Sequence, residues 1–93
     1  MRTIDYSNQF KRDYKRERKG RHAARLDREL QIVIDALTYA QPLLSRHRDH
    51  ALTGTWQDCR DCHLRPDLVL IYRFSSPALV ELVRLGSHSE LFR

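Results

Sequence analysis

The sequence has few of the residues that anchor cofactors or cross membranes. Its 93 residues include two cysteines, three glycines, three prolines, one methionine and one tryptophan. No stretch approaches the roughly 20 apolar residues of a transmembrane helix, and the start of the chain has no apolar signal-peptide core. There is no glycine-rich phosphate loop and no cluster of carboxylates of the kind that metal-dependent nucleases use. We therefore expect one cytoplasmic domain over residues 1–93, with no membrane association.

Both cysteines lie in one short stretch, CRDCH, from Cys59 to His63. This is the attachment pattern of a c-type haem, but the only methionine is the first residue, and so small a chain has little room for a haem. Zinc needs four ligands, which Cys59, Cys62, His63 and either His50 or His88 contain. On a strand, however, Cys59 and Cys62 point to opposite faces about 10 Å apart. That separation argues against zinc and a disulfide, and no helix N-terminus follows to activate a thiolate. We expect packing residues, with no metal and no cofactor.

Positive charge is concentrated in one part of the sequence. Seventeen lysines and arginines oppose 12 aspartates and glutamates, which gives a net charge of +5 and a pI near 9.7. The segment 11–28 alone carries +6, so the rest of the chain sums to −1. Such a local excess suits a surface that faces phosphates or an acidic protein. A solvated helix face is the alternative, and charge alone does not separate the two.

Hydrophobic periodicity predicts two helices and three strands after a short first strand. Apolar residues recur at helical spacing from Leu26 to Leu37, and the run Leu68–Phe74 is typical of a central strand. The expected elements are, in order, a strand at 3–6, a helix N-capped by Ser7 that stops near Gly20, a helix from 21–22 to Pro42, and strands at 58–65, 68–74 and 78–85. Short links favour an antiparallel meander for the last three strands. The order β-α-α-β-β-β indicates an α+β domain with two helices on one small, mainly antiparallel sheet.

Ionisable side chains share one face of the strand that contains the cysteines. If the strand is regular, Asp61, His63, Arg65 and Asp67 lie on the same face as Cys59. This row is either plain solvent surface or one wall of a site. In a meander, His63 and Asp67 approach Arg84 and His88 across the sheet, and the segment with His50 leads into the same sheet.

Histidines beside arginine and carboxylate match the needs of metal-free RNA cleavage. The ribose 2′-OH must lose a proton to attack its phosphate, and the leaving 5′-oxygen must gain one, so two groups that titrate near neutrality can do both. Arginine neutralises the charge that develops on the phosphate, and a carboxylate orients a histidine or acts as a base.

Several residues also have simpler interpretations. We expect His22 and His47 to be polar surface residues, and Trp56 to be a core or hinge aromatic more than a base-stacking platform. Arg84 has an alternative as a surface ion-pair partner of Glu81. Leu91 and Phe92 either pack the C-terminus or, for Phe92, stack on a base.

Three segments resemble the YafQ branch of the RelE/ParE superfamily of bacterial type II toxins. The matching patterns are D-H-x-L-x-G-x-W, R-D-x-H-x-x-P-D-x-x-L-I-Y and R-x-G-[ST]-H-x-x-L-F, which occur here at 49–56, 60–72 and 84–92. Their order and spacing agree with the family, whereas residues 8–48 match only in character. The resemblance implies a RelE-like, microbial-ribonuclease-like fold. It also implies a metal-independent endoribonuclease that cleaves mRNA in the ribosomal A site and inhibits translation.

The resemblance also implies roles for individual residues. The implied catalytic set is His50, His63, Asp67 and His88, with His88 as our candidate general acid and His50 or His63 open as the base. Arg84, Arg60, Asp61 and Phe92 are implied to contact the substrate or its phosphate. The residues implied to face ribosomal RNA are Lys11, Arg12, Lys15, Arg16, Arg18 and Lys19. Relatives often carry tryptophan where this chain has Leu68.

The implied partners are the 70S ribosome with its mRNA and a cognate antitoxin, a small DNA-binding protein with an acidic C-terminal tail. Operator DNA is reached only through the antitoxin. The alternative is a superfamily member that acts by binding alone, as a gyrase inhibitor of the ParE type or as a partner of its antitoxin. An unrelated zinc or RNA-binding module is a more remote alternative.

Overall fold

The chain forms a five-stranded sheet with two long helices on one face. The computed structural model describes residues 1–92. Its elements are β1 (Thr3–Tyr6), α1 (Asn8–Glu17), α2 (Ala23–Thr38), β2 (His50–Ala51), β3 (Arg60–Arg65), β4 (Leu68–Ser76), β5 (Leu79–Gly86) and α3 (His88–Leu91), with single 3-10 turns at Ser45–His47 and Gly54–Trp56. Across the sheet the strand order is β1-β5-β4-β3-β2. The predicted α+β class and the order of the main elements are confirmed.

The last four strands form the predicted antiparallel part of the sheet. β2, β3, β4 and β5 pair antiparallel in sequence order, whereas β1 returns beside β5 and pairs with it in parallel. α1 and α2 carry the chain from β1, at one edge of the sheet, to β2 at the other edge. The ladder is interrupted between His63 and Arg65, and again where Ile71 and Tyr72 meet β5. Such bulges re-aim side chains at the edge of a site.

The two faces of the sheet differ. The first, which we call the helical face, packs against α1 and α2 and carries the main core, where Leu26, Val33, Leu70 and Leu82 are almost fully buried. The opposite face, which we call the open face, has only a small second cluster. Its members are Leu52, Trp56, Cys59, Val69, Ile71, Val83, Leu91 and Phe92. The functional side chains therefore have room on the open face.

Local chemistry explains where the long helices begin and end. The Ser7 hydroxyl accepts a hydrogen bond from the Phe10 N–H, as predicted for an N-cap. α2 ends at Thr38, four residues before Pro42, because Ala40 takes a left-handed conformation with φ 54°. The Gln41 N–H then bonds to the Ala36 carbonyl at 2.9 Å, which closes the helix.

Short elements and strand ends differ from the prediction. β2, α3 and the two 3-10 turns were not predicted, since segments of two to four residues are too short to show a period. β3 begins at Arg60 rather than at residue 58, and β4 continues to Ser76, so that the turn falls on Pro77 and Ala78. None of the helices in the described residues has the length and hydrophobicity to cross a bilayer.

Candidate active site

Three histidines surround a buried carboxylate on the open face. His50 lies in edge strand β2, His63 in β3 and His88 at the first position of α3. β2 pairs His50 directly opposite Asp61, His63 follows Asp61 by two residues on the same face of β3, and the charges of all three histidines act to lower the pKa of the Asp61 carboxyl. His50 and His88 are exposed and His63 is half-buried, so a ligand can reach their rings.

Asp61 is the most unusual residue of this group. It is 1% exposed, and burial raises the pKa of its carboxyl above the usual value, although the three histidines act in the opposite direction. Nδ1 of His50 lies 3.0 Å from Oδ1 of Asp61. That oxygen is buried and has no hydrogen bond of good geometry within residues 1–92. Asp61 is therefore a desolvated acceptor beside an exposed imidazole.

A polar network fixes the backbone that carries His50. The Arg60 guanidinium donates two hydrogen bonds to Asp49, from Nε at 3.3 Å and from Nη2 at 3.1 Å. The buried Tyr72 hydroxyl donates to the same carboxylate. Nδ1 of His50 also lies 2.8 Å from the carbonyl oxygen of Arg48. Because Nδ1 faces these acceptors, Nε2 is the nitrogen that His50 can offer to a ligand.

His88 is held by helix capping and by aromatic contacts. The Ser87 hydroxyl accepts from the Glu90 N–H, and the Glu90 carboxylate accepts from the Ser87 N–H, which makes a capping box at the start of α3. The His88 ring lies 4.7 Å from that of Phe92, which in turn meets Trp56 edge-on at 6.4 Å. Trp56 thus packs in the second cluster and supports this aromatic wall.

The turn between β3 and β4 lies next to His63. Nδ1 of His63 is 3.3 Å from the Pro66 carbonyl oxygen. The following residue, Asp67, forms an ion pair with Arg21, and its carboxylate also lies 3.0 Å from Nε2 of His22. Asp67 therefore joins the turn to the segment before α2. The structure places Asp61, not Asp67, against His50.

Arg84 lies at a β-bulge of β5 and is held by Asp13 of α1. The register pairs Ile71 with Arg84 and Tyr72 with Leu82, so Val83 is an extra residue of β5 and Arg84 stands opposite Ile71 of the open face. From there its side chain reaches Asp13. Arg84 Nε donates to Asp13 at 2.7 Å, and the Leu85 N–H donates to the same oxygen at 3.0 Å. Asp13 is completely buried, which would raise its pKa, but these hydrogen bonds hold the pKa below its usual value.

The basic residues of the first helix lie on the surface. The exposed set predicted to face RNA is Lys11, Arg12, Lys15, Arg16, Arg18 and Lys19. Arg16 differs from the others because it donates to the Leu85 carbonyl at 2.8 Å and pairs with Asp13 and Glu90. Arg16 thus fastens α1 to β5 and α3.

The cysteines lie on opposite faces of the sheet, as the strand period predicts. Cys59 belongs to the second cluster, whereas Cys62 lies in the main core, and both are free thiols. Burial raises the pKa of each thiol. Leu68, at the tryptophan position of the family pattern, is 1% exposed and packs in the main core, so it faces away from the open face. Within the described residues no three His, Cys, Asp or Glu side chains form a group suited to a metal ion.

Some participants were not found by sequence reasoning. Asp49 and Tyr72 lie within the quoted patterns, but their contact joins residues 23 positions apart. Asp13 lies in a segment without a motif, so its pairing with Arg84 had no signal in the sequence. The expectation that His47 is a surface residue is wrong, because its side chain, at the end of the 3-10 turn Ser45–His47, is 1% exposed. Arg84 does not pair with Glu81, which instead accepts from Arg73 at 2.7 Å.

Fold and site together define a small bacterial toxin of the type II class. Over residues 2–93 the chain matches the family described as "Bacterial toxin of type II toxin-antitoxin system, YafQ". The chain belongs to this YafQ family, as the sequence patterns predicted.

Individual relatives agree along nearly the whole chain. The mRNA interferase toxin YafQ of Escherichia coli K12 is 34% identical over 92 residues, which are 99% of this chain and 97% of that protein. The E. coli DinJ–YafQ complex contains a chain that is 32% identical, with a TM-score of 0.80 and complete coverage of both chains. A copper-bound mutant toxin from Helicobacter pylori is 34% identical, with a TM-score of 0.83 over 99% of this chain and 100% of that one.

Proposed function

We propose that this chain is an endoribonuclease toxin that cleaves mRNA on the ribosome and so inhibits translation. The E. coli relative carries the name mRNA interferase, and the chain shares its family over its full length. The observation that carries the proposal is the group of three accessible histidines around buried Asp61. Ribosomal action makes the cytoplasm the site of activity.

We assign the proton transfers to two histidines on either side of the reacting phosphate. His50 takes the proton of the 2′-OH through Nε2, while its Nδ1–H faces Asp61 and the Arg48 carbonyl. The ionised Asp61 carboxylate stabilises the imidazolium that forms, since it lies 3.0 Å away in a dry environment. His88 gives a proton to the 5′-oxygen, and His63 completes the wall between them.

The remaining residues of the expected set act beside these groups. Asp67 holds the turn whose Pro66 carbonyl contacts His63, so we assign it a positioning role. Phe92 packs on His88 and remains partly exposed, which suits stacking on a base. Arg60 keeps His50 in place through Asp49.

Arg84 is the candidate contact for the reacting phosphate. Its side chain is 24% exposed while the buried Asp13 fixes its orientation. A guanidinium held in this way is preorganised, because no side chain must reorient as charge develops on the phosphate.

A cognate antitoxin is the expected regulator. In E. coli the relative is found in a complex with DinJ. The net charge of +5 favours a partner that presents an acidic segment. The exposed basic surface of α1 suits both such a segment and ribosomal RNA.

Substitution of the histidines tests the proposed chemistry. We expect His88→Ala and His50→Ala to slow mRNA cleavage on programmed ribosomes by roughly 10²–10⁴-fold, because each removes a proton-transfer group. Ser89→Ala, beside His88 on the exposed side of α3, is the control and should cleave at the normal rate. Single-turnover cleavage measures the chemical step.

Three results would contradict the proposal. Full-rate cleavage by His88→Ala would remove its role as acid. Loss of cleavage in EDTA that only zinc or copper restores, with magnesium kept high enough for intact ribosomes, would replace the metal-independent mechanism. Growth arrest with DNA damage and intact mRNA would instead indicate gyrase inhibition.

A further inference from the structure

A positively charged pocket lies at the end of β3 and is lined in part by His63. It has a volume of about 430 Å³, and its walls come from α2, the 3-10 turn at 45–47 and the end of β3. Its charged lining consists of Arg46, Arg48, Arg65, Glu29 and His63. We refer to it as the arginine pocket.

The arginines of this pocket form no close ion pair with a carboxylate within residues 1–92. Arg48 and Arg65 have no ion pair within residues 1–92, and Arg46 comes no closer than 3.8 Å to Glu29. By contrast, Arg60 and Arg84 each donate two hydrogen bonds to an aspartate. Three guanidinium groups against one carboxylate leave a net positive charge, so the pocket suits an anion.

The arginine pocket adjoins the candidate active site through His63. His63 belongs to both, and the carbonyl oxygen of Arg48 contacts Nδ1 of His50. An RNA strand whose reacting phosphate lies among the three histidines must place its next phosphate beside that group. On the side of the site bounded by His63 and the segment before His50, the unpaired cations Arg48 and Arg65 are available.

We propose that the arginine pocket binds a backbone phosphate of the RNA next to the one that is cleaved. The inference rests on the proposed function and adds to it a phosphate subsite formed by Arg48 and Arg65. Planar guanidinium groups bind phosphate oxygens in pairs of hydrogen bonds, and such a contact is independent of base identity. Glu29 at the wall keeps a longer run of negative charge out, so the pocket accepts one phosphate.

The test combines a double variant with neutral RNA linkages. Arg48→Asn/Arg65→Gln removes both charges, and asparagine suits position 48 because Arg48 has φ 50°. The substrate is mRNA on programmed ribosomes with one methylphosphonate linkage at successive positions around the cleavage site, each with a 2′-O-methyl group for stability. Arg73→Gln, a half-buried arginine of neighbouring β4 at the far end of the sheet, is the control.

We expect the losses in kcat/KM from the double variant and from the neutral linkage not to be additive. With natural mRNA the double variant should lose about 10- to 100-fold in kcat/KM, and Arg73→Gln should lose none. One neutral linkage beside the cleaved bond should cost the wild-type protein a similar factor and cost the double variant nothing further. Arg65→Lys should retain part of the activity, which shows that charge rather than folding is responsible.

Other results would overturn the inference. If the double variant cleaves like the control, or if every neutral linkage costs it as much as the wild type, the pocket does not hold an RNA phosphate. A double variant that cleaves normally but escapes its antitoxin would make the pocket a carboxylate site instead. Failure of the proposed function itself is recognised separately, because the wild-type protein would then cleave no mRNA on ribosomes.

Discussion

At the scale of single residues, Asp61 is a site residue whose charge lowers the stability of the fold. A carboxylate that is 1% exposed and lacks a well-formed hydrogen bond on Oδ1 destabilises the fold when it is ionised. Asp61 lies opposite His50, where the same negative charge stabilises a protonated imidazole. Asp13 is equally buried, but five hydrogen bonds to its two oxygens stabilise its charge.

Replacement of Asp61 should separate stability from activity. The folded protein holds the Asp61 proton above the usual pKa of 3.8, so the free energy of unfolding falls as pH rises from that value through the raised pKa. Asp61→Asn lacks this loss and should be more stable than wild type at neutral pH, while its cleavage rate falls about 10²–10⁴-fold. Chemical denaturation between about pH 4 and about pH 8, with ribosome cleavage in parallel, measures both effects.

Asp58→Asn is the control for this comparison. It removes one negative charge from a side chain that is 71% exposed. If Asp61→Asn is no more stable than Asp58→Asn at neutral pH, burial of the ionised Asp61 carboxylate does not destabilise the fold as the structure indicates.

At the scale of elements, α3 determines where His88 stands. This helix has only four residues, which is too short to be stable by itself, so its capping box and the buried Leu91 hold it. The capping residues Ser87 and Glu90 are therefore part of what positions the proposed acid.

Loss of the N-cap of α3 should reduce activity only because His88 is displaced. We expect Ser87→Ala to lower the free energy of unfolding by about 1 kcal/mol and to slow cleavage, although the imidazole is unchanged. Glu90→Gln is the matched control, because a glutamine at this position still completes a capping box. Thermal denaturation and single-turnover cleavage check the two effects, and normal cleavage by Ser87→Ala would show that α3 needs no cap.

At the scale of the whole molecule, chemistry and electrostatics occupy different surfaces. The histidines lie on the open face, while α1 packs on the helical face and carries much of the positive charge outward. The chain's three lysines are Lys11, Lys15 and Lys19, spaced by four residues along α1 and its end. That spacing places them in one stripe.

The lysine stripe should govern the salt dependence of ribosome binding. The triple change Lys11→Gln/Lys15→Gln/Lys19→Gln should weaken association and reduce the slope of log K against log salt by ~0.7–0.9 for each phosphate that the protein no longer neutralises. Changing the same three lysines to arginine keeps the charge and should keep the slope. An unchanged slope in the glutamine variant would mean that this stripe faces away from ribosomal RNA.

Much of the framework could be predicted because its causes are local. The strand and helix periods gave the order of the main elements, and the same alternation placed Cys59 and Cys62 on opposite faces. The patterns around His50, His63 and His88 identified the family. Short elements such as β2 escaped prediction because pairing with β3, not an intrinsic period, stabilises them.

The contacts within the site could not be predicted, for a different reason. Arg84 meets Asp13 across 71 positions, and a bulge in the β4–β5 ladder places Arg84 opposite Ile71. His47 is buried because the 3-10 turn packs on β3, which nothing in its neighbours in sequence indicates.

The sequence by itself therefore determined the class of the fold, the family and the histidines that carry the proposed chemistry. Only the tertiary structure decided that Asp61 is the carboxylate beside His50, that Arg60 and Arg84 are held by aspartates, and that Arg48 and Arg65 are left without ion pairs among residues 1–92. The physical reason is that side-chain period is set within a few residues, whereas charge pairing depends on strand register, bulges and burial.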